Sequence, residues 1–446
     1  MSRPNRTRLL QVAVVPCFIV GLLATSASGA RAGLGVQRPL LRAVPSVATT
    51  TTEIVSPTPT PTPQTSLPQV SVPPVSAATP AVATPAVAAP AAAAPAAAKT
   101  SSYANAEVRI GLSYGDTLFG ASPSLLAQTL NDAVAVGAGW IRVDLAWDDI
   151  QPTSSATFNW TPFDAIVQAA SARNLQVLAL LSYTPAWARP SDCTTSDKCS
   201  PAVPAQFATF AAAAVTRYAP LGLHTWEVWN EPNITNFWQP APNAAAYVAL
   251  LQPTAAAIHA ADPTATVISG GLAPAPTANG DISQLDFLSE FCAAGGPSLV
   301  NAIGYHPYSY PVPPGYYVGW NAWSQIAATP ESFQSVLAGC GAGTKQVWLT
   351  EYGAPTNGPG VGATTSNYEI GNSPDHVSQP LQAEMASDSV TLAGSSTFIG
   401  ALFWYSYTDL GTDATNTEDW YGLRNFNGTQ KPAWSSFQHA IRTIRG

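Results

Sequence analysis

Two glutamates stand out by their setting. Glu231 lies in Trp226-Glu227-Val228-Trp229-Asn230-Glu231-Pro232-Asn233 and Glu351 in Trp348-Leu349-Thr350-Glu351-Tyr352-Gly353, each where a β-rich run meets a loop, 120 residues apart. A single glutamate is ordinarily a solvated surface group, and two solvated loop glutamates is the bland reading of this pair. Two carboxyl groups converging over one pocket would instead suit cleavage of a glycosidic bond, one protonating the leaving oxygen while the other attacks the anomeric carbon. Glu231 sits in an aromatic, charge-poor segment, where desolvation raises a carboxyl pKa as a general acid requires. The Asn230 amide beside it can donate to a sugar hydroxyl next to the reacting carbon. Glu227, four positions before Glu231 and on the same side of a strand, would lie deeper and buttress arginine or tryptophan neighbours.

A second nucleophile motif competes. Gly111-Leu112-Ser113-Tyr114-Gly115 fits G-x-S-x-G, the nucleophile elbow of serine esterases, and His and Asp residues follow it. An elbow needs a helix immediately after the serine and usually several sheet strands before it. Here the motif comes near the start of the globular segment, and residues 116–120 intervene before helical periodicity begins. The run reads better as a first strand, with esterase chemistry at Ser113 as a remote alternative.

The elements that must carry the glutamates follow a simple order. β-rich runs occur at 108–115, 140–147, 175–183, 224–232, 265–273, 300–308, 345–353 and 398–407. Ala-rich segments with helical spacing separate them, such as PSLLAQTLNDAVAVGA, TPFDAIVQAASARN, PAQFATFAAAAVTRYA, NAAAYVALLQPTAAAIHAA and SQPLQAEMASDSVTLAG. Such alternation predicts an α/β fold with a parallel sheet and crossover helices. Eight repeats at this length favour a closed (β/α)8 TIM barrel over an open doubly wound sheet. In a barrel the chemistry belongs at the C-terminal strand ends, and the two glutamates end runs four and seven.

These motifs and this order resemble the clan A retaining glycoside hydrolases, the group that includes the cellulase-like family 5 and the β-xylosidase-like family 39. The resemblance spans residues 103–446. It implies hydrolysis of O-glycosyl bonds by double displacement, with Glu231 as acid/base, Glu351 as nucleophile and Asn230 on the 2-hydroxyl. Arg142 in WIRVD matches an arginine that holds the nucleophile ionised, the competing reading being an arginine satisfied by Asp144 or Asp148. His306 and Tyr308 in YHPY match positions that orient the nucleophile or bind substrate. Trp404 in LFWYSYTD matches a tryptophan that floors the subsite of the sugar being cleaved, with core packing as the alternative. Trp187, Trp238, Tyr316, Tyr317, Trp320 and Trp323 fall in loops and are expected on the cleft walls. No metal, nucleotide or organic cofactor is implied. A carbohydrate-binding or transglycosylating cell-surface protein of the same fold is the alternative from another class, and the presence of both glutamates argues against a binding-only protein.

Composition divides the rest of the chain. With 41 Pro and 10% charged residues among 446, the sequence cannot be one uniform domain. Residues 1–8 hold three Arg, residues 9–24 are apolar, and Ala-x-Ala follows at 30–32, the pattern of a secretory signal peptide over 1–32. An uncleaved anchor is the alternative, although the apolar run is short for a span of ~20 residues. Residues 33–102, with 13 Pro and a single acidic residue, Glu53, read as a disordered Pro/Ala/Thr-rich linker before a catalytic domain at 103–446. Export also suits the four remaining cysteines, Cys193, Cys199, Cys292 and Cys340. Three connectivities exist, and the local pair Cys193–Cys199 with Cys292–Cys340 is the expected one. Seven of the 18 Lys+Arg precede residue 103, leaving 11 against 25 acidic residues in the domain, a net charge of -14. Nucleic acid and anionic membranes are thereby poor partners. The expected partner is a neutral β-linked glycan, met outside the cell by a monomer with no transmembrane segment once the signal is removed.

Overall fold

A computed structural model describes residues 107–368 and 374–446, and the signal and linker expectations lie outside the described residues. Eight parallel strands form the sheet: β1 (Arg109–Ser113), β2 (Trp140–Ala146), β3 (Gln176–Ser182), β4 (Thr225–Val228), β5 (Thr266–Ser269), β6 (Ala302–Tyr305), β7 (Gln346–Tyr352) and β8 (Ile399–Tyr405). Each falls inside one of the eight β-rich runs. β1 pairs with both β2 and β8, so the sheet closes into a barrel and the open-sheet alternative is excluded.

One main helix follows each strand: α1 (Pro123–Val136), α2 (Thr161–Ser171), α3 (Pro204–Tyr218), α4 (Ala244–Ala261), α5 (Gln284–Ala293), α6 (Phe333–Gly339), α7 (Gln379–Ser395) and α8 (Pro432–Arg445). Local signals set their ends. Ser122 caps α1 by accepting from the Leu125 amide, Pro123 opens its first turn, and Gly137 closes it at φ 95°. Leu126, Leu130 and Ala133 then form the buried stripe of that helix. α4 is long and apolar enough to span a bilayer, yet it buries Tyr247, Leu250, Leu251 and Ile258 within the domain.

Strand alternation sorts the side chains into two layers. Ile110, Leu112, Ile141, Val143 and Leu145 pack in the large cluster shared with the helices. Leu178, Ile268, Ala302, Trp348, Ala401 and Phe403 form a separate cluster that fills the barrel interior. Gly111 makes room there, since a Cβ would fall 2.5 Å from the Phe403 ring. The lower barrel is thus packed solid, and polar groups gather at its C-terminal mouth.

Candidate active site

β4 ends at Val228, and the chain then leaves the strand through two left-handed residues, Trp229 at φ 71° and Glu231 at φ 43°. Such angles cost a side-chain-bearing residue about 1–2 kcal/mol, so the surroundings must hold them. Glu231 N donates to Gly271 O at 3.0 Å, and the Trp229 indole donates to Phe237 O at 2.7 Å. Gly271 itself permits the approach, because a Cβ there would sit 2.1 Å from His306 Nε2. The turn breaks the period-two alternation. Trp229 packs against Tyr183, Phe207 and Trp238, while the neighbouring Asn230 and Glu231 both engage groups at the barrel mouth.

An irregularity in β7 does the same for the second glutamate. Leu402 of β8 pairs with Leu349 and Trp404 with Tyr352, so β7 carries one extra residue over that interval. Thr350 and Glu351, though consecutive, therefore both reach inward. Thr350 Oγ1 donates to Glu227 Oε1 at 2.9 Å, and Glu351 Oε1 accepts from Arg142 at 2.5 Å.

Arg142 ties the strands together. Its guanidinium meets Glu227 at 2.5 Å, Glu351 at 2.5 Å, Asn230 Oδ1 at 2.9 Å and Ser113 Oγ at 3.2 Å. Burial works against its charge, but Glu227 and Glu351 outweigh that and hold its pKa above the ordinary value. The rival reading, an arginine satisfied by Asp144 or Asp148, gives way to a guanidinium bonded to Glu227 and Glu351. Tyr308 donates to Glu351 Oε2 at 2.7 Å, so both oxygens of that carboxylate are held by donors. His306 is placed differently from the expectation that it orients the nucleophile. Its Nδ1 lies 2.9 Å from Glu231 Oε1 and 3.9 Å from Glu351 Oε2, so its hydrogen bond goes to Glu231.

The protons of this network have a direction. Thr350 spends its hydroxyl hydrogen on Glu227, so it accepts from His306 Nε2–H at 3.0 Å. His306 Nδ1 is then an acceptor, which a protonated Glu231 satisfies and an ionised one does not. Burial, and then Arg142, push His306 well below its usual pKa, which keeps the ring neutral. Burial, followed by the facing Glu351, pushes Glu231 well above the usual carboxylate range. Burial also raises Glu351, but Arg142 and Tyr308 pull against it. Both carboxyls are thus raised, Glu231 further than Glu351, the order that an acid and a nucleophile require.

Several aromatic expectations need correction. Trp404 does not floor the site. Its ring is fully buried among Tyr352 and Phe437 of α8, and its indole donates to Tyr421 O, all on the helix side of β8. Ala401 and Phe403 face the interior, so the next inward position is Tyr405, which sequence reasoning missed. Trp238 and Trp323 are core residues, packed on Tyr247 and Tyr352. Tyr316, Tyr317 and Trp320 are exposed, and Trp187 is half-buried, edge-on to Trp147 with its indole on Gln151 O at 2.8 Å. The Ser113 hydroxyl meets the Arg142 guanidinium, and among the described residues no histidine bonds it, which removes the esterase geometry.

The cysteines pair as expected, Cys193 with Cys199 and Cys292 with Cys340. The first bridge pins the loop after β3, which lays Lys198 Nζ 3.3 Å from the centre of the Tyr183 ring beside the mouth.

Comparison with known proteins follows the same lines. The family model of the cellulases, glycosyl hydrolase family 5, matches residues 107–373. A β-xylosidase of Geobacillus stearothermophilus is 39% identical over 101 residues, 22% of this chain and 19% of that protein. A family 39 glycoside hydrolase from the gut symbiont Bacteroides cellulosilyticus superposes with a TM-score of 0.57 at 20% identity, over 76% of this chain and 64% of that one. The GH5_18 structure from Streptomyces cattleya in complex with Manb1-4GlcNAc gives 0.52 at 18% identity, over 76% and 81%. The chain therefore spans under a fifth of the matched xylosidase and about two thirds of the family 39 structure, and the structural likenesses speak for the barrel alone.

Proposed function

Because the chain belongs to the cellulase family of glycosyl hydrolases, family 5, we propose that it hydrolyses β-glycosidic bonds with retention of configuration, using Glu351 as nucleophile and Glu231 as acid/base. The observation that carries this is the approach of both carboxyls to one nitrogen, bonded to the first and near the second. Glu231 Oε1 and Glu351 Oε2 lie 2.9 and 3.9 Å from His306 Nδ1, so these two oxygens can be no further apart than the sum of those distances. That limit suits the ~5–5.5 Å of retaining pairs and leaves little of the ~6.5–9.5 Å range in which inverting pairs seat a water.

In the first step Glu351 attacks the anomeric carbon as the bond to the leaving oxygen breaks, and Glu231 gives that oxygen its proton. Arg142 and Tyr308 keep Glu351 ionised until the new ester bond forms. Asn230 Oδ1 is taken by Arg142, which leaves the amide hydrogens for the sugar 2-hydroxyl. In the second step the Glu231 carboxylate takes a proton from water, whose oxygen attacks the anomeric carbon and releases Glu351. The β-xylosidase relative supports a β-linked substrate, the charge of -14 on residues 103–446 supports a neutral glycan, and the pattern of residues 1–32 supports export.

The test is the anomer released first, followed by NMR on an aryl β-glycoside or a β-glucan, xylan or mannan oligomer. We expect the β-anomer, and loss of hydrolysis in folded Glu231→Gln and Glu351→Gln variants. An α-anomer formed first, or full activity in either variant, rejects the mechanism.

A further inference from the structure

Three polar side chains around the mouth take no part in the network above. Asp144 on β2, Ser182 on β3 and Tyr405 on β8 are 4%, 0% and 2% exposed. Asp144 Oδ1, Ser182 Oγ and the Tyr405 hydroxyl have no hydrogen-bond partner among the described residues. A buried polar atom without a partner is costly and uncommon, and a cluster of them marks a place where something else supplies the partner.

Their positions converge. Asp144 is the next inward residue after Arg142, one rung higher on β2, and its strand neighbour β3 carries Ser182 opposite Ala146. On the other side Tyr405 follows inward Phe403 and pairs with Ser113, which pairs in turn with Arg142. Tyr405 thus stands level with Arg142, Asp144 one inward position above it and Ser182 beside the second position above, on three strands that are consecutive apart from β1.

We propose that Asp144, Ser182 and Tyr405 form the recognition ring for the sugar unit attacked by Glu351, an assignment that rests on the glycosidase reading. The Asp144 carboxylate accepts from two neighbouring hydroxyls of a neutral pyranose, and the Ser182 and Tyr405 hydroxyls pair with its remaining oxygens. Burial, against the pull of Arg142, raises Asp144 to about 7, so above that pH its charge rejects the carboxylate of a uronic acid unit. The cation on the adjoining loop does not offset this, as Lys198 is already engaged by Asp197 at 3.3 Å and by the Tyr183 ring.

The test uses the full chain and separates stability from recognition. Tyr405→Phe and Ser182→Ala each delete a hydroxyl that bonds nothing, so both should melt at or above the wild-type temperature while kcat/KM on the best neutral aryl β-glycoside falls, by roughly 3- to 10-fold. Asp144→Asn keeps the shape and should lower kcat/KM by on the order of 10- to 100-fold, mostly through KM. It should also narrow the preference for a neutral β-glucoside over the matching β-glucuronide. Melting well below wild type in the hydroxyl deletions, or kcat/KM within twofold in all three variants, overturns the ring. Glu351→Gln measured alongside reports on the glycosidase reading alone: its inactivity beside an unaffected Asp144→Asn would discard the ring and keep the enzyme, whereas its full activity would discard both.

Discussion

The Tyr308 hydroxyl and the Arg142 guanidinium hold opposite oxygens of Glu351 against the effect of burial, which raises the pKa of that carboxyl. A hydrogen bond to the charged form lowers a carboxyl pKa, so its removal raises it. In Tyr308→Phe the acidic limb of the kcat/KM profile should therefore move to higher pH, because Glu351 must lose its proton to attack. The alkaline limb belongs to Glu231, which Tyr308 does not touch, and should stay in place. Profiles with an unmoved acidic limb would remove Tyr308 from control of the nucleophile. Residues of this kind were legible in the sequence, Glu231, Glu351 and Asn230 because chemistry names them and Arg142, His306 and Tyr308 because they match the resembled family, and all six meet in one network. Thr350 and Tyr405 were not, since a threonine or tyrosine in an apolar run carries no mark of the face it takes.

Which face a residue takes is decided by the element, and here the elements hide it. A strand of a barrel is covered on both sides, so Ile399–Tyr405 reads IGALFWY with no alternation to separate Phe403, inside, from Trp404, outside. The extra residue in β7 and the left-handed turn after β4 then shift the register just where the glutamates sit. The number and order of strands survive such local shifts, which is why the barrel was legible and the floor of the site was not. The loops also differ in what secures them. Cys193–Cys199 closes a separation of 6 residues and Cys292–Cys340 one of 48, tying the last turn of α5 to the end of α6. Loop entropy assigns about 2 kcal/mol to the first and about 4 kcal/mol to the second. Urea titration should therefore show the larger loss for Cys292→Ser with Cys340→Ser. The Cys193→Ser, Cys199→Ser protein should instead raise KM with a smaller loss of stability, because its loop holds Lys198 against Tyr183 and Cys199 O on Thr184. An unchanged KM would make that bridge a fastening only.

At the scale of the whole domain, charge adds a second filter to the one at Asp144. Residues 103–446 carry 11 Lys+Arg against 25 Asp+Glu, so an anionic polymer approaches a repelling field before any sugar reaches the mouth. The two filters differ in range. Repulsion from the net charge acts across solvent and is screened over ~10 Å at 0.1 M salt, while the field of a buried carboxylate on a bound sugar is barely screened. Raising NaCl from about 10 to about 300 mM should increase the rate on a carboxylated β-glucan several-fold and leave the rate on its neutral parent nearly flat. Assayed above pH 7, where Asp144 is ionised, the preference for neutral over acidic units that survives at high salt should be the part that Asp144→Asn removes, and the part abolished by salt should be the same in both proteins. Two flat salt curves would mean that the domain's charge does not reach the cleft, and would leave discrimination to the mouth alone.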